Sequence, residues 1–102
     1  MTVAMIVTSK AQEGRRGDIH ALWLEKLAPL AEQNTSQAVV VWCDDQHDPN
    51  AFHLFEIYES QEAMGENAQN PAFAEYMQEA MPLLAGEPTV AMATPTWSKG
   101  LA

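Results

Sequence analysis

The chain has 102 residues, 5 basic against 14 acidic side chains for a formal charge of −9, and a single cysteine. That length accommodates one domain spanning residues 1–102, the acidity repels phosphate backbones and anionic membrane surfaces, and one cysteine rules out an intrachain disulfide or a multi-thiolate zinc site. No apolar run approaches the roughly 20 residues that span a bilayer, so neither nucleic acid nor membrane is an expected partner and a reducing cytoplasm is the expected location.

The apolar N-terminus, Met1 to Val7, has no basic segment before it and reaches Thr8, Ser9 and Lys10 too soon for a signal peptide. Alternation of Val3, Met5 and Val7 with Ala4, Ile6 and Thr8 predicts a first strand ending near Ala11. From Arg16 to Gln33, Ile19, Leu22, Trp23, Leu27 and Leu30 recur at three- and four-residue steps and predict a helix, which Pro29 interrupts or restarts. Ala38 to Cys43 and Phe52 to Glu59 predict two strands joined as a hairpin by the turn-forming Asp44 to Asn50.

Ser60 is placed to cap a second helix, broken at Asn70-Pro71 and resuming with the apolar stripe Phe73, Tyr76, Met77, Ala80 and Leu84. Gly86 and Pro88 end it, and Thr89 to Thr96 reads as a last strand. The order β-α-β-β-α-β predicts an α+β, ferredoxin-like split βαββαβ fold: a four-stranded antiparallel sheet with two helices on one face. Both side-chain sets of the strands are largely apolar, whereas an uncovered sheet face is normally polar. A homodimer with these sheets packed face to face is therefore expected.

The stretch Phe52-His53-Leu54-Phe55-Glu56-Ile57-Tyr58-Glu59-Ser60-Gln61-Glu62-Ala63-Met64 resembles the third strand and following helix of the antibiotic biosynthesis monooxygenase family. The similarity continues through Asn70-Pro71-Ala72-Phe73, Tyr76 and the strand introduced by Glu87-Pro88. The resemblance implies the dimeric α/β barrel of that family's superfamily and a hydrophobic cavity between sheet and helices. It also implies oxidation of a small aromatic or quinol-type substrate by molecular oxygen, without metal, flavin or other cofactor. Asn67 and Ala72 stand where that family often has histidine, so a mechanism relying on those imidazoles is not expected. Haem-degrading relatives carry a strand-one asparagine that this chain lacks, and haem cleavage is not expected either.

Asn67 is the expected holder of a substrate oxygen, because its amide both donates and accepts hydrogen bonds; its alternative reading is ordinary turn chemistry. Glu56 falls on the Leu54 and Tyr58 face of a central strand, where a carboxylate needs a partner or a raised pKa. It is a candidate general base, with a structural ion pair or an interface role as the alternative. Tyr58, Phe73, Tyr76 and Trp42 are candidate walls of a substrate cavity, with core packing as the default. His20, His47 and His53 lack metal-site spacing, the Asp44 to Asp48 turn lacks the features of a calcium loop, and Cys43 is expected as a buried, inert thiol. A non-catalytic ligand-binding dimer and a small-molecule isomerase are the competing functions.

Overall fold

The computed structural model describes residues 2–100; Met1, Leu101 and Ala102, counted above within the single domain, lie outside them. Its elements are β1 (Val3–Lys10), α1 (Arg16–Lys26), α2 (Ala28–Gln33), β2 (Gln37–Asp44), β3 (Ala51–Tyr58), α3 (Gln61–Ala68), α4 (Pro71–Ala80), a 3-10 turn (Met81–Leu83) and β4 (Thr89–Ala93). The sheet is antiparallel in the order β2-β3-β1-β4. This is the ferredoxin-like arrangement, with each expected helix divided in two. No helix among the described residues is long and apolar enough to cross a membrane.

The breaks follow from local chemistry. Pro29 falls in the first turn of α2, where the missing amide hydrogen has no intrahelical acceptor to serve, so α1 ends at Lys26 and the chain restarts after Leu27. At the second break Asn70 Oδ1 accepts from the Ala72 amide at 2.9 Å, and Pro71 opens α4. Ser60 Oγ accepts from the Ala63 amide at 3.1 Å and so caps α3. Lys26 Nζ reaches Glu79 Oε2 at 3.0 Å, tying the end of α1 to α4.

Ile19, Phe52, Tyr76, Ala80 and Leu84 form a buried cluster beneath α1 and α4. Trp42 closes it from β2, with its indole stacked on Phe52 at 4.3 Å between ring centroids and tilted against His20 at 4.7 Å. The turn after β1 is fixed by Gly14, whose φ of +77° is a left-handed conformation that suits glycine. Its amide donates to Asn50 Oδ1 at 3.1 Å.

Three expectations need correction. The last strand ends at Ala93 rather than Thr96. The second begins at Gln37 rather than Ala38, because a β-bulge between Gln37 and Val39 leaves Ala38 as an extra residue. Cys43 is exposed, not buried: it shares a sheet face with Val39, Val41, Phe55 and Ile6, and no helix of the protomer packs there. On that face Val41, Phe55 and Ile6 form one row across three strands, 43%, 37% and 38% exposed.

Candidate functional site

The other sheet face carries the candidate chemistry. Side chains alternate along β3, so Phe52, Leu54, Glu56 and Tyr58 all turn toward the helices, and all four are buried. The bulge decides what stands beside them. With regular alternation from Val39, Gln37 would share the open face; the extra residue instead places it opposite Tyr58, on the helix side, where it too is buried. Asn67 comes from the last turn of α3, and Asn34 from the end of α2.

These residues form one hydrogen-bonded chain. Tyr58 donates its hydroxyl to Glu56 Oε1 at 2.7 Å, and Gln37 Nε2 donates to the same oxygen at 2.7 Å and to the Tyr58 hydroxyl at 2.9 Å. Asn67 Nδ2 donates to the Tyr58 hydroxyl at 3.0 Å, and Asn34 Nδ2 donates to Asn67 Oδ1 at 3.3 Å. Asn34 is itself held, since its Oδ1 accepts from the Ser36 amide at 3.0 Å.

A count of valences shows what remains free. The Tyr58 hydroxyl gives its one hydrogen and fills both lone pairs, so it has nothing left for a ligand. Glu56 Oε1 accepts twice, whereas no donor among the described residues reaches Oε2. One hydrogen of Asn67 Nδ2 is used and the other is not. The open valences of the cluster are therefore Glu56 Oε2, the Gln37 Oε1 carbonyl and one hydrogen each on Asn67 Nδ2 and Asn34 Nδ2; Glu56, Gln37 and Asn67 line the adjoining cavity.

Burial pushes the Glu56 carboxyl above its ordinary range, while hydrogen bonds from Tyr58 and Gln37 pull it partly back. Burial, followed by the charge and hydrogen bond of Glu56, pushes the Tyr58 hydroxyl up so that it stays protonated; Asn67 opposes this only in part.

Beside the cluster lies a cavity of about 410 Å³ between sheet and helices. Met5, Val7 and Leu54 form its sheet wall, and Trp23, Phe73 and Met77 its helical wall. Tyr76 also lines it; burial pushes its hydroxyl up to about 12, and no described residue hydrogen-bonds to it. Such a chamber suits a flat apolar molecule with a polar edge turned to Glu56 and Asn67.

Of the residues singled out in the sequence, Glu56, Tyr58 and Asn67 lie in one hydrogen-bonded cluster at the cavity, and Phe73 and Tyr76 line its wall. Trp42 does not line it; its ring is taken up in the stack on Phe52. Gln37 and Asn34 escaped sequence reasoning. The only trace of Gln37 was a polar residue preceding a β-branched run, which ordinarily reads as a loop end.

Asp45 and His53 form a separate pair, with Nε2 to Oδ1 at 2.8 Å, in the β2-β3 hairpin. The His53 hydrogen bond, followed by the Asp48 and His47 amides, holds Asp45 well below the usual carboxylate range. Among the described residues no three His, Cys, Asp or Glu side chains are grouped to hold a metal ion.

The sequence matches the profile of the family described as Antibiotic biosynthesis monooxygenase over residues 2–79. Among solved structures, the chain is similar to one from Chloroflexus aurantiacus J-10-fl described as a candidate antibiotic biosynthesis monooxygenase. The two share 20% identity over 100% of both chains, with a TM-score of 0.84. A Nitrosomonas europaea protein of the same candidate description matches at 10% identity over 97% of this chain and 94% of its own, with a TM-score of 0.88. The Mycobacterium tuberculosis protein Rv0793 matches at 21% identity over 96% and 98%, with a TM-score of 0.84. No curated protein sequence is significantly similar to the chain. These structural likenesses establish the fold, and the profile match establishes that the chain belongs to the antibiotic biosynthesis monooxygenase family.

Proposed function

We propose that the protein is a cofactor-independent monooxygenase that oxidises a small phenolic or quinol-type aromatic with molecular oxygen, using Glu56 as base and Asn67 as the holder of the substrate oxygen. The observation that carries this reading is that, among the open valences at the cavity, an acceptor on an acid, Glu56 Oε2, stands with a free donor, the second hydrogen of Asn67 Nδ2. A phenol O–H satisfies both: its proton goes to the carboxylate, and its oxygen accepts from the amide as negative charge develops.

The phenolate then passes one electron to oxygen, and the radical pair joins at the ring carbon para to the phenolate, which carries a hydrogen. Glu56 returns its proton to the peroxide. Loss of water from the hydroperoxide leaves a carbonyl at that carbon, so the net change is phenol plus O₂ to quinone plus H₂O. The substrate supplies all four electrons, and one oxygen atom ends in each product. Gln37 and the saturated Tyr58 hydroxyl orient the carboxylate throughout, while the apolar walls exclude water from the reactive phenolate.

The open row of Val41, Phe55 and Ile6 supports a homodimer through the sheet faces, and the free thiol of Cys43 supports a reducing, cytoplasmic location. The test of function is oxygen uptake by metal-free protein with naphthols, dihydroxynaphthalenes and anthrones, above the autoxidation background. Uptake matched to quinone formation, and reduced about 10²-fold or more in Glu56→Gln, is expected for a proton-transfer base. Turnover that persists without oxygen would replace this reading with an isomerase.

A further inference from the structure

A second concavity of about 280 Å³ lies on the far side of Asn67. It shares Leu30, Asn67 and Asn70 with the apolar cavity, so the two chambers have a common wall. Part of that wall is the 3.3 Å hydrogen bond from Asn34 Nδ2 to Asn67 Oδ1, the longest contact in the chain that leads to Glu56. The lining differs in kind from the first. Gln33, Asn34, Ser36, Asn67 and Asn70 present uncharged donors and acceptors, Glu66 is the one charged side chain, and no Lys or Arg takes part.

From this juxtaposition we infer that the outer concavity is a subsite for an uncharged, hydrogen-bonding substituent, a hydroxyalkyl amide or a polyol, carried on the aromatic ring ortho to the oxygen that Asn67 holds. This rests on the reading of the cavity given above. Amides and hydroxyls recognise amides and hydroxyls, because each partner supplies both a donor and an acceptor. A carboxylate or phosphate substituent is disfavoured: Glu66 repels it, no cation in the lining compensates, and the whole chain is strongly acidic.

The ortho position follows from Asn67 itself. Asn67 lines both chambers, with its Nδ2 bonded to Tyr58 in the inner lining and its Oδ1 to Asn34 in the outer, so a group reaching past it into the outer one leaves the ring next to the oxygen that its amide holds. A substituent on the far ring stays in the apolar chamber. The enzyme so described takes an aromatic already carrying a neutral polar group, which places it after an amide-forming or glycosylating step.

The test is anaerobic titration, followed by calorimetry and by tryptophan fluorescence, with four probes. These are 1-naphthol, 1-naphthol bearing a hydroxyethyl carboxamide ortho to the hydroxyl, the isomer bearing that amide on the far ring, and the ortho carboxylate. The ortho amide is expected to bind about fivefold tighter than 1-naphthol or more, as one or two net hydrogen bonds provide, and the carboxylate and far-ring isomer no tighter than 1-naphthol. Gln33→Leu and Ser36→Ala are expected to erase that gain while leaving 1-naphthol binding unchanged. An ortho amide that gains nothing, or a gain that survives both substitutions, overturns the subsite. Oxygen uptake with 1-naphthol is read separately: its absence would sink the oxygenase reading, and the binding comparison would still decide the subsite.

Discussion

Tyr58 and Tyr76 are the only two tyrosines of the chain, and removing the hydroxyl from each should have opposite consequences. Tyr58 is 1% exposed, and its hydroxyl takes part in three hydrogen bonds, one of them to a carboxylate. Tyr58→Phe removes all three. Gln37 and Glu56 keep each other, and Asn67 can turn its N–H to the cavity, so the cost is mainly the bond to the carboxylate plus part of two neutral ones. That sums to about 2–3 kcal/mol, taking each hydrogen bond at its net value. Tyr76 is also buried, but its hydroxyl has no partner among the described residues, so Tyr76→Phe should cost about 0.5 kcal/mol or less. For a domain of this size the expected fall in Tm is roughly 10–20 °C for Tyr58→Phe and about 4 °C or less for Tyr76→Phe. Calorimetric melts at one pH and one protein concentration provide the comparison. Equal shifts would refute the claim that the Tyr58 hydroxyl is the saturated hub of the cluster.

Other outcomes follow from the same geometry. Because burial raises the Glu56 carboxyl, the base is ionised only above the ordinary carboxylate range, and the acid limb of the pH-rate profile should lie above 4.5; a limb at or below that value contradicts the assignment. The sign for stability is opposite. A raised carboxyl contributes stability that is fully present below its ordinary value and is lost as pH rises through the raised one, so Glu56→Gln should melt higher than wild type at neutral pH and show a flatter pH dependence. Tyr76 is raised to about 12 and Tyr58 is raised as well, so folded protein at pH 10.5 should show little tyrosinate absorbance and urea-unfolded protein about half or more; a half-ionised folded state would show that a phenol is open to solvent. On the open sheet face, wild type should sediment as a dimer and Val41→Asp as a monomer at the same concentration; a monomeric wild type, or a dimer unaffected by the substitution, would remove that face as the interface.

The order of elements was legible because hydrophobic period and helix-breaking residues agree along most of the chain. Ser60 and Asn70-Pro71 are strong local signals, and the structure uses both as caps. Glu56 was legible as a charge on the buried face of β3, and Asn67 by its place in the family pattern. Gln37 was not, because counting by twos from Val39 puts it on the wrong face, and the extra residue that corrects the count is an alanine with no sequence signature. Cys43 was misplaced for a related reason: in a strand whose two faces are both apolar, composition does not tell which face lies under the helices. Trp42 shows the limit of reading a face alone, since its ring is committed to Phe52 and not to the chamber.

The strand order also sets how the site comes into being. Gln37, Glu56 and Tyr58 belong to one hairpin and Asn67 follows within the next helix, so the polar cluster needs only about thirty consecutive residues. The apolar chamber needs both ends of the chain, with Met5 and Val7 from β1 and Val90 from β4 joined in the same sheet. Its formation carries the entropic cost of closing the longest loop in the domain. On a ribosome the polar cluster can therefore assemble while the chamber still lacks a wall, and the chamber beside Glu56 is completed only once β4 has been made.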